Sequence, residues 1–395
     1  MVRKVAIIIE RADVALGGAE RSVAEVSQAL SDVGLEVTLL AAKGAGAAPH
    51  VRVLCSHVPG RRVSLSVFGR ALRRHLSEHR YDIVHSVLPF DFCDVYQPRG
   101  GTYAETLRRN AASYRAGALR WFKQVTATLN RRRTRLLNCE RKLCQGPDGP
   151  VIAALSQYVV DQLQQHYGTD PDRIVLLLNG VRTGRRVDEE AVEELRGRLR
   201  RALSCKEKDN PVLFLFVAHN FRLKGLGCLI EALSIAVQDV AAGRARLVVV
   251  GTGKAARYRR LARRLGVEDR IVFLGAADGV QNVLALADVG VLPTFYDPSS
   301  RFILEALAAG KPVITTRYNG AIDHFTDGRH GRTIDTPENV SALAEAIRYF
   351  AEPNHVARAS HAIAEDRLEQ RISIRRVAGD LVRLYESILE RKGRA

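Results

Sequence analysis

The chain carries an acidic pair whose spacing suits the binding of a polar ligand at a helix end. Asp297 and Glu305 lie eight residues apart on either side of a serine pair, Ser299-Ser300. We expect Asp297 in the loop before a helix and Glu305 about one turn inside it, with one of the serines as the helix cap. The N-terminus of that helix favours a phosphate group, and the two carboxylates suit the hydroxyl groups of a sugar.

A cationic turn offers a second partner for such a phosphate. Arg222 and Lys224 follow a strand-like run at residues 212–217 and precede a helical pattern at 225–240. In parallel α/β sheets, ligands bind beyond the carboxyl ends of the strands, which is where this turn would lie. We therefore expect the two cations to neutralise a diphosphate. The alternative is a charged helix-initiating loop without a ligand.

Two glycine turns are expected to bring the backbone close to the same ligand. Gly17-Gly18 separates the first predicted strand from the first predicted helix, and Gly253 follows a strand-like run at 247–250. Glycine permits close approach, and a helix N-terminus presents free N–H groups to an anion. Neither turn is a dinucleotide or Walker fingerprint, since Ala255 stands where a Walker loop needs Ser or Thr. A plain turn is the alternative for Gly17-Gly18.

His85 ends another strand-like run, residues 82–85, in the first half of the chain. We expect it to hydrogen-bond a ligand, and an ordinary histidine satisfied by its neighbours is the alternative. The six cysteines form no C-x-x-C pair, and no histidine cluster lies near them at zinc spacing. The sequence therefore predicts no metal site.

The elements that must position these residues form two series. Short β-branched runs alternate with amphipathic helical patterns, first from residue 5 onward and again from residue 212. Repeated βα units predict parallel sheets that are covered on both faces. A chain of 395 residues is long enough for two cores. We predict an α/β fold with two doubly wound domains, divided within residues 179–210.

Residues 108–142 differ from the rest of the chain, because they carry eleven Lys or Arg residues and one acid, Glu140. Apolar side chains are interspersed among these cations. Basic amphipathic helices of this kind suit an anionic membrane surface. The alternative is a solvated basic face on an ordinary helix. The residues expected to contact the membrane are Arg120, Trp121, Phe122, Lys123, Arg131, Arg132 and Arg133.

The net charge of +17 favours anionic partners, namely nucleic acid, an anionic membrane or a phosphorylated substrate. No zinc-finger, RNP or helix-turn-helix pattern favours nucleic acid, although a basic nucleic-acid-binding protein remains the main alternative from another class. No apolar run approaches the roughly 18 to 20 residues that span a bilayer. The apolar run at residues 5–9 is too short for a signal-peptide core, so we expect a cytoplasmic protein.

Four features occur in order along the chain: Gly17-Gly18-Ala19-Glu20-Arg21, Asn179-Gly180-Val181, Asp297-x7-Glu305 and Gly310-x-Pro312-Val313-Ile314. Together they resemble retaining glycosyltransferase family 4, which has the GT-B fold. A further stretch, Asp94-Val95-Tyr96 and Tyr103-Ala104-Glu105, is followed by the basic insert, residues 108–142. It is similar to the lipopolysaccharide core glucosyltransferase I group within that family. The resemblance implies that His85 would hydrogen-bond the donor sugar or the acceptor.

The resemblance implies two Rossmann-like domains that face each other across a cleft. Residues 1–180 would bind the acceptor and contain the basic insert, and residues 181–372 would bind the nucleotide sugar. Residues 373–395 would form a helix that crosses back to the first domain. The enzyme would be cytoplasmic and peripherally attached to the inner membrane.

The resemblance also implies the reaction. A hexose, taken as glucose, would pass from UDP-glucose to a lipid-linked saccharide with retained anomeric configuration and without a metal or other cofactor. Arg222 and Lys224 would stabilise the diphosphate as it leaves. Glu305 would bind the ribose hydroxyls, and Asp297 would touch the donor sugar.

Two positions depart from the family pattern. Asp297 stands where members usually have Glu, and its side chain is one methylene shorter. His219 stands five residues before Lys224, where many members have Arg, and we expect Arg222 to substitute for it. A sugar-nucleotide epimerase, a phosphorylase or a non-catalytic membrane scaffold of the same fold would share most of these features.

Overall fold

The computed structural model describes residues 2–13, 17–44, 50–60, 62–115, 117, 120–121, 130–203, 210–277 and 279–394. The chain divides into two compact units. Unit 1 comprises Met1–Ala111, Gly117–Val181 and Ile374–Ala395, and unit 2 comprises Ala112–Ala116 and Arg182–Ser373.

The secondary structure alternates between strands and helices along most of the chain. The strands are β1 (Lys4–Ala12), β2 (Glu36–Gly44), β3 (Val51–Val53), β4 (Ile83–Ser86), β5 (Val95–Tyr96), β6 (Val151–Ala154), β7 (Ile174–Leu176), β8 (Val212–Val217), β9 (Ala245–Val250), β10 (Ile271–Gly275), β11 (Val289–Leu292), β12 (Val313–Thr316) and β13 (Gly331–Ile334). The helices are α1 (Gly18–Asp32), α2 (Leu65–Glu78), α3 (Tyr103–Ala112), α4 (Arg131–Gln145), α5 (Gln157–Tyr167), α6 (Glu189–Ala202), α7 (Leu226–Ala236), α8 (Ala256–Arg264), α9 (Val280–Leu286), α10 (Arg301–Ala308), α11 (Val340–Ala351), α12 (Pro353–Glu365), α13 (Leu368–Ile372) and α14 (Ile374–Arg394).

In its described part, unit 1 is built on a seven-stranded parallel sheet with the order β3-β2-β1-β4-β5-β6-β7. Strand β1 shows why helices cover both faces. Its side chains alternate, so Val5 and Ile7 pack with α1 and α14, whereas Ala6 and Ile8 pack with α2. The last helix of the chain is thus part of the core of unit 1.

Unit 2 has a six-stranded sheet in the described residues, with the order β10-β9-β8-β11-β12-β13 and parallel pairing throughout. The chain moves from β8 outward to β10 and then returns to place β11 on the other side of β8. The strand order therefore reverses between β8 and β11. Open α/β sheets bind ligands beyond the carboxyl ends of the strands at such a switch point.

The two parallel sheets with flanking helices confirm the predicted α/β fold class. The strand-like runs at 212–217, 289–292 and 313–316 coincide with β8, β11 and β12. Helix α14 is longer than the amphipathic pattern at 377–389 indicated. Within the described ranges, none of the helices combines the length and the apolarity that a membrane crossing requires.

Candidate active site

The carboxyl ends of β8 and β11 bring a lysine and an aspartate together at the switch point of unit 2. Lys224 Nζ donates to Asp297 Oδ2 at 2.7 Å and to the carbonyl oxygen of Tyr296 at 2.8 Å. Both charged side chains are largely but not fully buried, at 21% and 15% exposure. A partly desolvated cation at this position can stabilise negative charge on a bound ligand more strongly than it would in water.

A glycine allows the two loops to approach so closely. Gly225 has φ +79°, and a Cβ at this position would lie 1.9 Å from the carbonyl oxygen of Pro293. The amide of Phe295 then donates to the carbonyl of Leu223 at 2.9 Å, which ties the loop after β11 to the loop after β8. Any larger residue at position 225 would strain the backbone and separate Lys224 from Asp297.

The N-terminus of α10 lies beside this pair and is held by two side chains. Ser300 caps the helix, as the sequence predicts for one of the two serines, since its Oγ accepts from the amide of Ile303 at 3.4 Å. Asp297 Oδ1 accepts from the amide of Ser299 at 3.2 Å. The aspartate thereby contacts both the lysine and the backbone that leads into the helix.

Asn319 also organises this region, and the sequence analysis missed it. It is fully buried, and its Oδ1 accepts from the amides of Ser300 at 3.0 Å and Ala321 at 3.1 Å. Its Nδ2 donates to Thr315 Oγ1 at 2.9 Å. The available signal was the turn dipeptide Asn319-Gly320 directly after a predicted strand.

Glu305 is placed on α10 beyond the cap and pairs with Arg301 at 3.1 Å. It lines a pocket of about 380 Å³ in unit 2 together with residues 182–185, part of α9 and Ala308 at the end of α10. Both side chains of the ion pair are mostly buried. The carboxylate therefore borders a cavity of the size that a nucleoside would need.

Arg222 contacts residues 113 and 114, whereas Lys224 contacts Asp297 and Tyr296. Arg222 Nη1 donates to Ser113 Oγ, and its guanidinium lies 3.8 Å from the centroid of the Tyr114 ring. Burial lowers the pKa of Arg222 from its ordinary value, and the nearby Tyr114 opposes that shift. The structure thus brings Lys224 to Asp297 and directs Arg222 towards residues 113–114.

The glycine turn after β9 is explained by packing within the protein. A Cβ on Gly253 would lie 2.5 Å from the ring of Phe221. The same turn is joined to the loop after β8 because His219 Nδ1 and Thr252 Oγ1 lie 3.2 Å apart. Gly253 therefore lets the two loops pack together, and its contact with a nucleotide stays a prediction.

The glycine pair of unit 1 lies at the switch point of the other sheet. Gly17 is the N-cap residue of α1 and Gly18 is its first residue. Helix α1 follows β1, and the strand order of unit 1 reverses between β1 and β4. A helix N-terminus at such a point can bind an anion, and the contact of Gly17 and Gly18 with a donor stays a prediction.

His85 is buried inside unit 1, with 1% of its surface exposed. Its Nδ1 lies 2.6 Å from the hydroxyl oxygen of Tyr385 on α14. Burial lowers the pKa of His85 to about 3, the charge of Arg99 lowers it further, and a hydrogen bond with Gln97 opposes the shift. In this structure the imidazole is neutral at physiological pH and packs against the last helix.

Helix α4 shows how the basic insert is attached. Its apolar residues face the protein, so Leu136 and Leu143 are buried rather than available to a membrane. Glu140 is fully buried and accepts from the Tyr96 hydroxyl and the Tyr103 amide, each at 2.7 Å, and from Tyr167. Burial raises the pKa of Glu140 to about 7.

The predicted membrane residues occupy different environments. Trp121 is 66% exposed, and Arg131 and Arg133 are exposed on α4. Arg132 is half-buried and donates to Glu10 at 2.6 Å. Arg120 is partly exposed, whereas Phe122 and Lys123 lie outside the described residues.

No group of three or more His, Cys, Asp or Glu side chains among the described residues has a geometry suited to a metal ion. The cysteines in those ranges are free thiols: Cys55, Cys93, Cys139, Cys144 and Cys228. Cys205 lies outside the described residues.

Two family models match the chain in succession. Residues 16–185 match Glycosyltransferase Family 4, and residues 211–352 match Glycosyl transferases group 1. Lipopolysaccharide glucosyltransferase WaaG of Escherichia coli strain K12 is 27% identical over 277 residues, which is 70% of each chain. A D-inositol 3-phosphate glycosyltransferase of Corynebacterium glutamicum is 30% identical over 206 residues, which is 50% of this chain and 47% of that protein.

Solved structures give the same fold. The crystal structure of WaaG matches with a TM-score of 0.74 and 23% identity over 95% of this chain and 99% of that one. Sucrose-phosphate synthase from Thermosynechococcus elongatus matches with a TM-score of 0.75 and 19% identity over 98% and 99%. The structural likeness establishes the fold, and the two family models, which together span most of the sequence, establish the kind of enzyme. The chain therefore belongs to glycosyltransferase family 4 and has the GT-B fold.

Proposed function

We propose that this glycosyltransferase moves glucose from UDP-glucose to a lipid-linked saccharide of the lipopolysaccharide-core type, with retention of the anomeric configuration. The observation that carries the proposal is the Lys224–Asp297 pair at the switch point of unit 2, beside the capped N-terminus of α10. These groups are suited to a diphosphate on one side and sugar hydroxyls on the other.

In the proposed reaction, the bond between the anomeric carbon and the diphosphate oxygen breaks as an acceptor hydroxyl oxygen bonds to the anomeric carbon, and the hydroxyl proton passes to the leaving diphosphate. Negative charge develops on that oxygen, and Lys224 together with the N–H groups of α10 stabilises it. Asp297 accepts hydrogen bonds from the sugar, and Glu305 accepts them from the ribose hydroxyls. Because Lys224 already contacts Asp297, a bound diphosphate must share or displace that contact.

Arg222 is proposed to add positive charge near the diphosphate in place of the family's arginine, whose position is occupied by His219. Fixed cations can neutralise the leaving group without a metal ion, so the proposed reaction needs no metal or other cofactor. Gly17, Gly18 and Gly253 are proposed to contact the donor through their backbone. His85 is proposed to act on the substrate only indirectly, because its side chain is buried.

The identities of donor and acceptor are supported by related proteins. A structure of Anabaena HepE in complex with UDP-glucose matches this chain with a TM-score of 0.69 and 17% identity. WaaG, the relative that covers 70% of this chain, is a lipopolysaccharide glucosyltransferase. The family matches support neither a nucleic-acid-binding protein nor an epimerase.

The acceptor is proposed to be bound by unit 1 at a membrane surface, with the protein peripherally attached to the cytoplasmic face of the inner membrane. Helix α4 presents an exposed basic face, and its Arg135 and Lys142 border a groove of about 580 Å³ in unit 1. Arg70 and Arg73 line the same groove. An anionic surface or a phosphorylated saccharide would be attracted to these charges.

A thermal-shift screen against UDP-, GDP- and ADP-sugars tests the donor. A ligand at 100 times its Kd is expected to add about 2.7 kcal/mol to the free energy of unfolding, and UDP-glucose should give the largest shift. Glucose transfer to a lipopolysaccharide-core acceptor then separates the proposal from the epimerase, which would isomerise the donor without transfer. If none of the nucleotide sugars stabilises the protein, the proposed function is wrong.

A further inference from the structure

A short segment of the chain belongs to unit 2 although the chain on both sides of it belongs to unit 1. Unit 1 is interrupted after Ala111 and resumes at Gly117. The interruption begins at the last residue of α3 and lies within the basic insert, residues 108–142. We name its described part, residues 112–115, the strap.

The strap contacts the loop that carries the proposed diphosphate-binding cations. The guanidinium of Arg222 stacks over the ring of Tyr114 at 3.8 Å from the centroid. Its Nη1 donates to Ser113 Oγ, and Ser113 is buried, with 5% exposure. One face of the guanidinium and one of its edges are therefore fixed by two consecutive residues of the strap.

A second contact holds the strap to the helix that follows this loop. Arg115 donates through Nη1 and Nη2 to the two carboxylate oxygens of Glu231, and its Nη2 lies 3.8 Å from Cys228 Sγ. Glu231 and Cys228 are both on α7, which begins directly after Gly225. The strap thus contacts both the loop, at Arg222, and the first two turns of α7.

We propose that Ser113 and Tyr114 are positioning residues for the donor loop, residues 218–225, and set the orientation of Arg222 towards the diphosphate. This inference rests on the proposed function. Arginine loses much side-chain freedom when it binds a ligand, and a guanidinium that is already stacked has less freedom to lose. Stacking uses the face of the guanidinium and none of its five N–H donors, which lie in its plane.

The strap also explains how a chain with histidine at the family's arginine position can use Arg222. A loop arginine without such support would sample many rotamers. Here an aromatic ring and a hydroxyl from a distant part of the sequence fix one of them.

A double-mutant cycle between Tyr114 and Arg222 tests the proposal, with isothermal titration of UDP as the readout. Tyr114→Ala is expected to raise the Kd for UDP about tenfold, as loss of a partly desolvated cation–π contact predicts. Tyr114→Phe should leave the Kd near that of the unchanged protein, because it keeps the ring. In the Arg222→Ala background, Tyr114→Ala should have no further effect.

The steady-state parameters distinguish positioning from general damage. Tyr114→Ala should raise the donor KM by a similar factor and change kcat by less than about threefold, since Lys224 still stabilises the leaving group. Tyr114→Leu keeps an apolar side chain without a π face and provides a second test if Tyr114→Ala does not fold. It should change the Kd and the KM as Tyr114→Ala does. Arg263→Ala, which breaks an exposed ion pair with Glu268 in the same unit, is the control and should change nothing.

The outcomes separate this inference from the function on which it rests. If the unchanged protein binds UDP and transfers glucose while Tyr114→Ala and Tyr114→Leu match it, the strap proposal is wrong and the function stands. Additive effects of Tyr114→Ala and Arg222→Ala on the Kd would also overturn the strap proposal. If the unchanged protein binds no nucleotide, both proposals fail.

Discussion

Lys224 and Asp297 form an ion pair, so the charge of the lysine is partly satisfied within the protein. The sequence predicted a role for each residue separately, the lysine with phosphate and the aspartate with sugar. Because the two side chains are in direct contact at 2.7 Å, Asp297 and a bound diphosphate would compete for Lys224. The spacing of the motifs did not indicate this competition. Changes at the two positions should therefore affect nucleotide binding in opposite directions.

Lys224→Ala is expected to lower kcat/KM by about 10²-fold or more, because a fixed charge at the leaving group is lost. Asp297→Asn should tighten UDP binding by up to about fivefold, since it removes a like charge and releases the lysine. The same change should slow glucose transfer. Steady-state kinetics and UDP titration measure both effects.

Asp335→Asn provides the matched control for these two variants. It breaks an exposed ion pair with Arg317 in the same unit and should alter neither quantity. Weaker UDP binding in Asp297→Asn would contradict the proposed competition between the aspartate and the diphosphate.

His85 gives a prediction about pH. Its pKa in the folded protein is about 3, below the ordinary value of 6.5, because burial and Arg99 disfavour the charged form. The unfolded chain binds a proton near pH 6.5 and the folded protein does not, so this group's contribution to stability is present above pH 6.5 and is lost progressively as the pH falls towards 3.

The ring protons of His85 should show no NMR titration between pH 8 and pH 5. A midpoint for His85 near pH 6.5 would show that the imidazole is accessible to solvent, and its proposed indirect role would have to be abandoned.

At the scale of single residues, the sequence predicted charged and glycine positions better than their partners. Glycine spacing and a serine before an apolar run indicate a turn and a cap from local rules alone. The contacts of Arg222 with Ser113 and of His85 with Tyr385 span 109 or more residues of sequence. No local pattern could predict them, because they depend on how the chain returns to the same sheet.

At the scale of elements, long strands and amphipathic helices were predictable and short strands were not. Strand β8 is a continuous apolar run of six residues, whereas β5 has only two residues and β3 and β7 have three each. So short a strand shows no periodicity in its sequence, and it is ordered by its pairing with neighbouring strands. Helix α4 was correctly recognised as amphipathic, but its apolar face packs into unit 1.

The burial of that face changes the expected mode of membrane contact. With Leu136 and Leu143 inside the protein, α4 can contribute charge but no apolar anchor. Replacing Arg131, Arg133 and Arg135 by Gln should weaken binding to vesicles that contain anionic lipid by about 1 kcal/mol for each charge removed. Co-sedimentation at several salt concentrations measures this loss, which should shrink as salt increases.

The control is an equal loss of charge on another exposed helix. Arg198, Arg200 and Arg201 on α6 are all exposed, and their replacement by Gln lowers the net charge by the same amount. This triple variant should bind the vesicles as the unchanged protein does. If both triple variants lose affinity equally, the attraction comes from net charge and α4 is not the contact surface.

At the scale of the whole molecule, unit 1 is completed by the last helix of the chain. The residues of α14 that belong to the core of unit 1 are Ile374, Val377, Ala378, Leu381, Leu384, Tyr385 and Ile388. A buried large apolar side chain contributes about 1.5 to 3 kcal/mol, so together they approach the stability of a typical domain. The resemblance to the family indicated this crossing, and the amphipathic pattern alone could not have named its partner.

A truncation before Ile374 should therefore unfold unit 1 and leave the sheet of unit 2 intact. Hydrogen exchange followed by mass spectrometry should show rapid exchange in β1, β2 and α1 and retained protection in β8, β9 and β11. A shorter truncation after Leu389 keeps the core residues and loses only the exposed end with its Lys392–Asp94 ion pair, so it should stay folded. Slow exchange in β1 of the longer truncation would disprove the dependence.

The position of α14 also has a consequence for synthesis of the protein. Val5, Ile7 and the inner face of α1 are synthesised before unit 2, whereas α14, which covers them, is synthesised after unit 2. Unit 2 can fold in the interval, while the apolar surface of unit 1 that α14 covers stays exposed. We therefore expect chaperones to bind the nascent chain until α14 has emerged from the ribosome.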